Sequence, residues 1–370
     1  MALFATTACR SALDTVAAPS EPYRIVAYVR GRAEIYRIGA QKLTHINYAF
    51  AKVSPEGLIV FDDPDAPAHL AQLQALKAKN PDLRILVSVG GWGADNFSDA
   101  ALTEASRARF AVSGIEMIKK YGLDGIDLDW EYPGQAGPGI KFRPEDRENF
   151  TAMLRDLRVQ LDWLSFERGR WGKNPYLLTI ASAAGNYFEH TEMSVLHQYL
   201  DFINIMTYDM VGSWAPRTGH HSALFGSAAD PSGPSTASYV QQHLDAGIPA
   251  RKLVVGVPFY ARAFAGVTAE NYGLFQPYQR YASEYSGSAL ERDIVGKAGF
   301  IRHWDDEAKA PFLWNAETST FVTYDDPESL SIKAGWVRQL GLGGIMYWEH
   351  SHDPHEVLLD SVYRNLKGES

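Results

Sequence analysis

The sequence predicts an α/β fold, a (β/α)8 TIM barrel with a small α+β insertion between its seventh and eighth strands. Three observations lead there. Eight short runs rich in β-branched and aromatic residues recur along the 370 residues. Helical periods lie between them, the pattern of βα units around a parallel sheet. One connection, about eighty residues between Arg262 and Gly343, breaks the alternation.

In chain order the strands are expected at 24–29, 43–50, 84–90, 125–131, 176–183, 202–208, 253–260 and 344–348. Between the third and fourth, Ala111, Ile115 and Ile118 recur at helical spacing. After the fourth, Phe150, Leu154, Leu157 and Leu161 do the same, and Pro144 is well placed to start that helix. The long connection is rich in Tyr, Phe and Asp, as in Phe321-Val322-Thr323-Tyr324-Asp325-Asp326-Pro327. A structureless loop of that size does not belong in a compact domain, so it reads as a subdomain of its own. The organisation is then a leader over 1–22, a barrel over 23–264 and 337–366, and an insertion over 265–336. Roughly 270 residues remain for the barrel, close to the usual size.

With 35 Lys+Arg against 44 Asp+Glu, the chain carries a formal charge of −9 and is 46% hydrophobic. Disorder is excluded, and neither nucleic acid nor an anionic membrane is expected as a partner. No apolar run reaches the roughly 20 residues of a transmembrane segment. The single cysteine, Cys9, excludes an internal disulfide and a multi-cysteine zinc site. Leu3 to Cys9 resembles the end of a bacterial lipoprotein signal, but a basic start and a longer apolar stretch are missing. The alternative reading of the leader is disorder.

Chemistry concentrates in the fourth strand. In Asp124-Gly125-Ile126-Asp127-Leu128-Asp129-Trp130-Glu131, side chains alternate, so Asp127, Asp129 and Glu131 share one face. Ile126, Leu128 and Trp130 face the helices. Three carboxylates inside a barrel are costly unless hydrogen-bonded, proton-sharing or functional. Spaced about 7 Å apart, like charges raise at least one pKa. Glu131, at the outer end, is the natural general acid. A calcium loop is excluded, because Tyr132 stands where glycine is needed. Mg²⁺ on the carboxylate row remains an alternative, while His350 and His352 lack a third metal ligand and read, like His220-His221, as exposed loop. Neither metal nor cofactor is therefore expected. Paired carboxylates at a barrel mouth favour glycoside hydrolysis. Since Asp129 and Glu131 address one side of the scissile bond, and Glu349 is the other acidic strand end, the nucleophile has room to be the substrate's own 2-acetamido oxygen.

The run from Asp124 to Pro133 resembles the signature of family 18 chitinases. Four other segments are similar to that family: Ser88-Val89-Gly90-Gly91-Trp92, Met206-Thr207-Tyr208-Asp209 with Trp214, Tyr260-Ala261-Arg262, and Met346-Tyr347-Trp348-Glu349. At Ala261 the family more often has glycine. The likeness runs from about Tyr23 to Leu366 and takes in the insertion, which looks like the chitinase insertion subdomain.

The resemblance implies a retaining hydrolase acting on chitin or N-acetylglucosamine oligosaccharides, extracellular and monomeric. Glu131 is then the proton donor, Asp129 holds the acetamido N–H, and Asp127 shares a proton with Asp129. Tyr208 donates to the acetamido carbonyl, with Met206 and Asp209 nearby. Trp348 floors that sugar, and Trp92 and Trp214 flank the leaving-group side. Tyr28 and Arg262 are weaker candidates for the cleft lining. Asp124, Ser88, Gly90 and Gly91 are structural, the glycines allowing close packing below the site. The alternatives are an endo-β-N-acetylglucosaminidase on glycoprotein or peptidoglycan glycans and a non-catalytic chitin-binding lectin. The lectin is disfavoured because Glu131 is present.

Overall fold

The computed structural model describes residues 22–231 and 233–368. The leader, Pro22 apart, and Cys9 lie outside the described residues. Chain order runs β1 (Arg24–Arg30), β2 (His45–Val53), a short β3 (Ile59–Val60), β4 (Arg84–Gly90), β5 (Gly125–Asp129), β6 (Leu177–Ser182), β7 (Phe202–Ile205) and β8 (Leu253–Pro258). Then come β9 (Tyr260–Ala265), β10 (Arg280–Ser286), β11 (Ile301–Asp305), β12 (Ala310–Asn315), β13 (Thr320–Thr323) and β14 (Gly344–Trp348). Eight of these pair in parallel in the order β1-β2-β4-β5-β6-β7-β8-β14, and β14 returns to β1 with Gly344 opposite Arg24. The barrel is closed, and each of the eight expected strands is in it.

Alternation builds its two layers. Val26, Tyr28, Phe202, Val254 and Met346 fill the interior. Ile25, Ala27 and Val29 of the same β1 point outward, under the helices. The helix Glu104–Tyr121 begins at a reciprocal Thr103–Ser106 capping box and stops at Gly122, whose φ of 66° suits glycine. The helix Asp146–Glu167 follows Pro144, and its Phe150, Leu154, Leu157 and Leu161 are all buried against the barrel. Each contributes roughly 1.5–3 kcal/mol over exposure. Trp130 belongs to this outer layer, stacked on Phe97 at 5.3 Å and edge-on to Phe150 at 5.4 Å.

Three expected strands run too far. β5 ends at Asp129 rather than Glu131, and β7 at Ile205 rather than Tyr208. The run 253–260 divides into β8 and β9, because Phe259 N–H turns to the Trp348 carbonyl, 2.8 Å away. β9 then enters a second, antiparallel sheet, ordered β10-β9-β13-β12-β11. That sheet takes in residues from Tyr260 on, earlier than the insertion expected at 265–336. Conversely, the helix Pro327–Gln339 packs on the final helix Val357–Lys367 and on β14. Apart from Arg262, apolar character runs from 253 to 265, so the hydrophobic pattern around Phe259 carries no mark of the change of sheet.

A buried ion pair ties this region to the barrel. Lys333 Nζ donates to both Asp325 oxygens, at 2.8 and 2.6 Å, and to the Ser222 carbonyl at 2.6 Å, with both charged side chains fully buried. Lys333→Met strands the carboxylate with only its Ser222 and Ser329 donors. We expect a loss of about 3 kcal/mol in urea-unfolding free energy, the lower end for breaking a buried pair.

Candidate active site

A cleft of about 790 Å³ opens at the C-terminal ends of the barrel strands, where a TIM barrel assembles its chemistry. It is lined by Asp129, Glu131, Met206, Tyr208, Asp209, Arg262, Trp92, Trp214 and Trp348, among others. A larger hollow of about 1580 Å³ lies among residues such as Arg24, His45, Arg84 and Phe202, at the opposite ends of the strands. None of the β5 carboxylates reaches it.

Asp127 is fully buried beneath the cleft and is bound from four strands. Its Oδ2 accepts from Tyr28 Oη of β1 (2.7 Å) and Ser88 Oγ of β4 (2.8 Å). Its Oδ1 accepts from Thr179 Oγ1 of β6 (2.5 Å) and Asn204 Nδ2 of β7 (3.3 Å). Burial raises its pKa, and these donors pull it back. Tyr28 is thus not on the cleft wall, as expected, but under it, 1% exposed.

Asp129 is 5% exposed, and its Oδ1 has no hydrogen-bond partner. Burial, then the charges of Glu131 and Asp127, hold its pKa well above the usual carboxylate range, with Lys52 opposing them. Glu131 is pushed up to about 7, first by burial, with Asp209 adding to it and Tyr132 and Lys52 opposing. A carboxyl with that value carries its proton at mildly acidic pH and can give it up. Close approach of backbone helps to build the pair: Gly91 N–H donates to the Asp129 carbonyl at 2.9 Å, and a Cβ on Gly90, at φ 127°, would collide with that carbonyl. A Cβ on Gly91 would meet the Phe50 ring at 2.7 Å.

Tyr208 and Asp209 follow β7. Burial, then Asp129, keeps the Tyr208 phenol protonated by raising its pKa well above 10. Asp209 accepts from Tyr260 Oη (2.5 Å) and Arg262 Nε (2.7 Å) and stands 3.7 Å from His221 Nδ1. Burial alone would raise its pKa; His221, Arg262 and Tyr260 together lower it. Arg262 also pairs with Glu284 of β10 at 2.8 Å and lies 5.2 Å from the Trp214 ring. The second sheet therefore supplies one wall. Trp348 is stacked on Phe50, centroids 5.5 Å apart, whereas Trp92 and Trp214 stand 66% and 62% exposed at the rim. Three peptide bonds here are cis: Ala49-Phe50, Glu131-Tyr132 and Trp348-Glu349.

Other residues lie away from the cleft or were misplaced. Asp124 binds Lys77 (2.6 Å), Arg170 (2.9 Å) and the Ile85 N–H (2.9 Å) at the strand start, away from the cleft. Glu349 is fully buried and held by Arg32. The histidines expected in exposed loops are not exposed. His220 and His221 are buried, the latter behind Tyr260, and His350 is 5% exposed and shares a hydrogen bond with Tyr347. Aromatic packing around each imidazole is a property of the tertiary fold that a dipeptide does not reveal. Conversely Phe50, Lys52, Tyr132, Gln135, Tyr281 and Glu284 line the cleft without having been expected there. Phe50 and Lys52 had one available signal, their place at the outer end of the second barrel strand.

Comparison with known proteins agrees with this geometry. The family model for glycosyl hydrolases family 18 matches residues 24–353. Chitinase A1 of Niallia circulans is 36% identical over 94% of this chain and 59% of its own length. Chitinase B of Serratia marcescens is also 36% identical, over 85% of this chain and 74% of its own. A solved family 18 N-acetylglucosaminidase from Paenibacillus barengoltzii superposes with a TM-score of 0.87 at 40% identity, covering 93% of this chain and all of that one. The present chain thus spans little more than half of chitinase A1. A match that runs from β1 past β14, on a barrel whose fourth parallel strand carries the acidic row, makes the chain a member of glycosyl hydrolases family 18.

Proposed function

We propose that the protein is a chitinase that cleaves β-1,4-linked N-acetylglucosamine chains with retention of configuration, the substrate's acetamido oxygen acting as nucleophile. One observation carries the mechanism: Asp129 and Glu131 leave β5 together into the cleft, and among the described residues no carboxylate stands free on an opposing strand end. Asp209 is taken up by Arg262 and Tyr260, and Glu349 is buried with Arg32. A retaining enzyme with its own nucleophile needs two carboxyls about 5 Å apart across the sugar.

In this reading Glu131 gives its proton to the glycosidic oxygen. The unpartnered Oδ1 of Asp129 accepts the acetamido N–H, and the carboxylate steadies the oxazolinium cation that forms. Tyr208 donates to the acetamido oxygen and aims it at the anomeric carbon. Trp348 lies under the sugar ring, while Trp92 and Trp214 flank the leaving-group side. Water then opens the oxazolinium from the opposite face, with Glu131 as base, so that two inversions restore the β anomer. We assign the second sheet to the chitinase insertion that deepens the cleft.

The test is a time course on N-acetylglucosamine oligomers of defined length, with their fully deacetylated counterparts beside them, followed by proton NMR. Initial β-anomeric product from the acetylated chains and no turnover of the deacetylated ones are expected. Initial α product, or comparable rates on both, overturns the mechanism. The product lengths separate endo from exo action.

A further inference from the structure

The β5 carboxylates are ringed by titratable and charged groups. Tyr28 and Asp127 lie beneath them, Tyr132 and Tyr187 beside them, and Tyr208 and Asp209 come from the exit of β7. Arg262 and Tyr260 of β9, Glu284 and Tyr281 of β10, Arg30 and His352 complete the cleft. Of the cations, Arg262 is committed to Asp209 and Glu284, and Arg30 sits at the exposed end of β1.

Lys52 is placed differently. Its Nζ donates to the Gly90 carbonyl at 2.8 Å and lies 5.3 Å from the Phe50 ring centroid. Gly90 is the register partner of Asp129 on the adjoining strand. The ammonium is therefore anchored on the β4 backbone at the residue that faces Asp129 across the β4–β5 ladder. Among the described residues its ammonium is held by a backbone carbonyl rather than by a carboxylate.

We propose that Lys52 is a positioning residue that sets the charge of the carboxylate pair, favouring the state in which Asp129 and Glu131 together hold a single proton. A fixed cation favours the anionic state of its neighbours. Without it the pair, already crowded by Asp127 and Asp209, gains from keeping a second proton. Lys52 does oppose the raised proton affinity of both Asp129 and Glu131. The inference takes the roles of these two carboxyls from the proposed function.

The experiment compares the unmodified protein with Lys52→Met, Lys52→Gln and Lys52→Arg. The readouts are pH profiles of kcat/KM on an N-acetylglucosamine pentamer, and ¹³C NMR titration of the carboxyl groups without substrate. Met and Gln should raise both apparent pKa values by roughly 0.5–1 pH unit, the lower part of the range for a nearby charge. Activity then falls on the acid side and the optimum moves up. Arg should restore the original profile, and Gln, which can still donate to the Gly90 carbonyl, separates charge from hydrogen bond. Unchanged titration in folded Met or Gln variants overturns the proposal, as does a shift reproduced by Arg. If Met does not fold, Gln carries the test. Absence of turnover on any oligomer would sink the functional reading, while the carboxyl titration still decides the part played by Lys52.

Discussion

Glu131→Gln is expected to lower kcat by roughly 10²- to 10⁴-fold, the usual worth of a positioned proton donor. The amide has the shape of the acid but no proton to give, so binding of chitin oligomers should hardly change. Loss in kcat and in kcat/KM together, with KM near its original value, is the signature of an interaction made only in the transition state. The pH profile gives a second readout. Glu131 acts in its protonated form, and its pKa is raised from 4.5 to about 7, chiefly by burial. Activity of the unmodified enzyme should therefore fall as pH rises through about 7, and that limb should vanish in the variant. Steady-state kinetics with a fluorogenic N-acetylglucosamine oligomer from pH 4 to 9 checks both. A variant with near-normal turnover removes Glu131 from the mechanism.

Asp129→Asn is expected to cost roughly 10²- to 10³-fold in kcat, comparable to removing a preorganised electrostatic contact at a developing charge. The side chain keeps its volume and its place between Asp127 and Glu131, so folding should survive. What it loses is the negative charge beside a substrate group that becomes cationic as the ring closes. Isothermal titration with a neutral thiazoline mimic of the cyclised sugar, alongside kcat, tests this. Normal kcat with weakened binding would make Asp129 a ground-state contact only.

Much of the fold was legible locally. The eight barrel strands were readable because each is a short β-branched or aromatic run, and their alternation with helical periods is a local property. The acidic row was legible for the same reason: a period of two puts Asp127, Asp129 and Glu131 on one face and Ile126, Leu128 and Trp130 on the other. Strand ends were less readable. Glu131 and Tyr208 look like strand residues, yet the ladder stops at Asp129 and Ile205, and the freed backbone is what turns these side chains into the cleft.

By itself the sequence determined the barrel, the acidic strand and the aromatic residues around it, since hydrophobic period and residue type act over a few neighbouring positions. Only the tertiary structure decided how those groups are tuned. Asp127 takes its donors from four strands far apart in the chain, and Tyr28 reaches it from below rather than facing the sugar. His221 is enclosed behind Tyr260, and Arg262 is shared between Asp209 and Glu284. Burial and charge act through space, so the acidity of Glu131 depends on what closure of the barrel brings within a few ångströms of it.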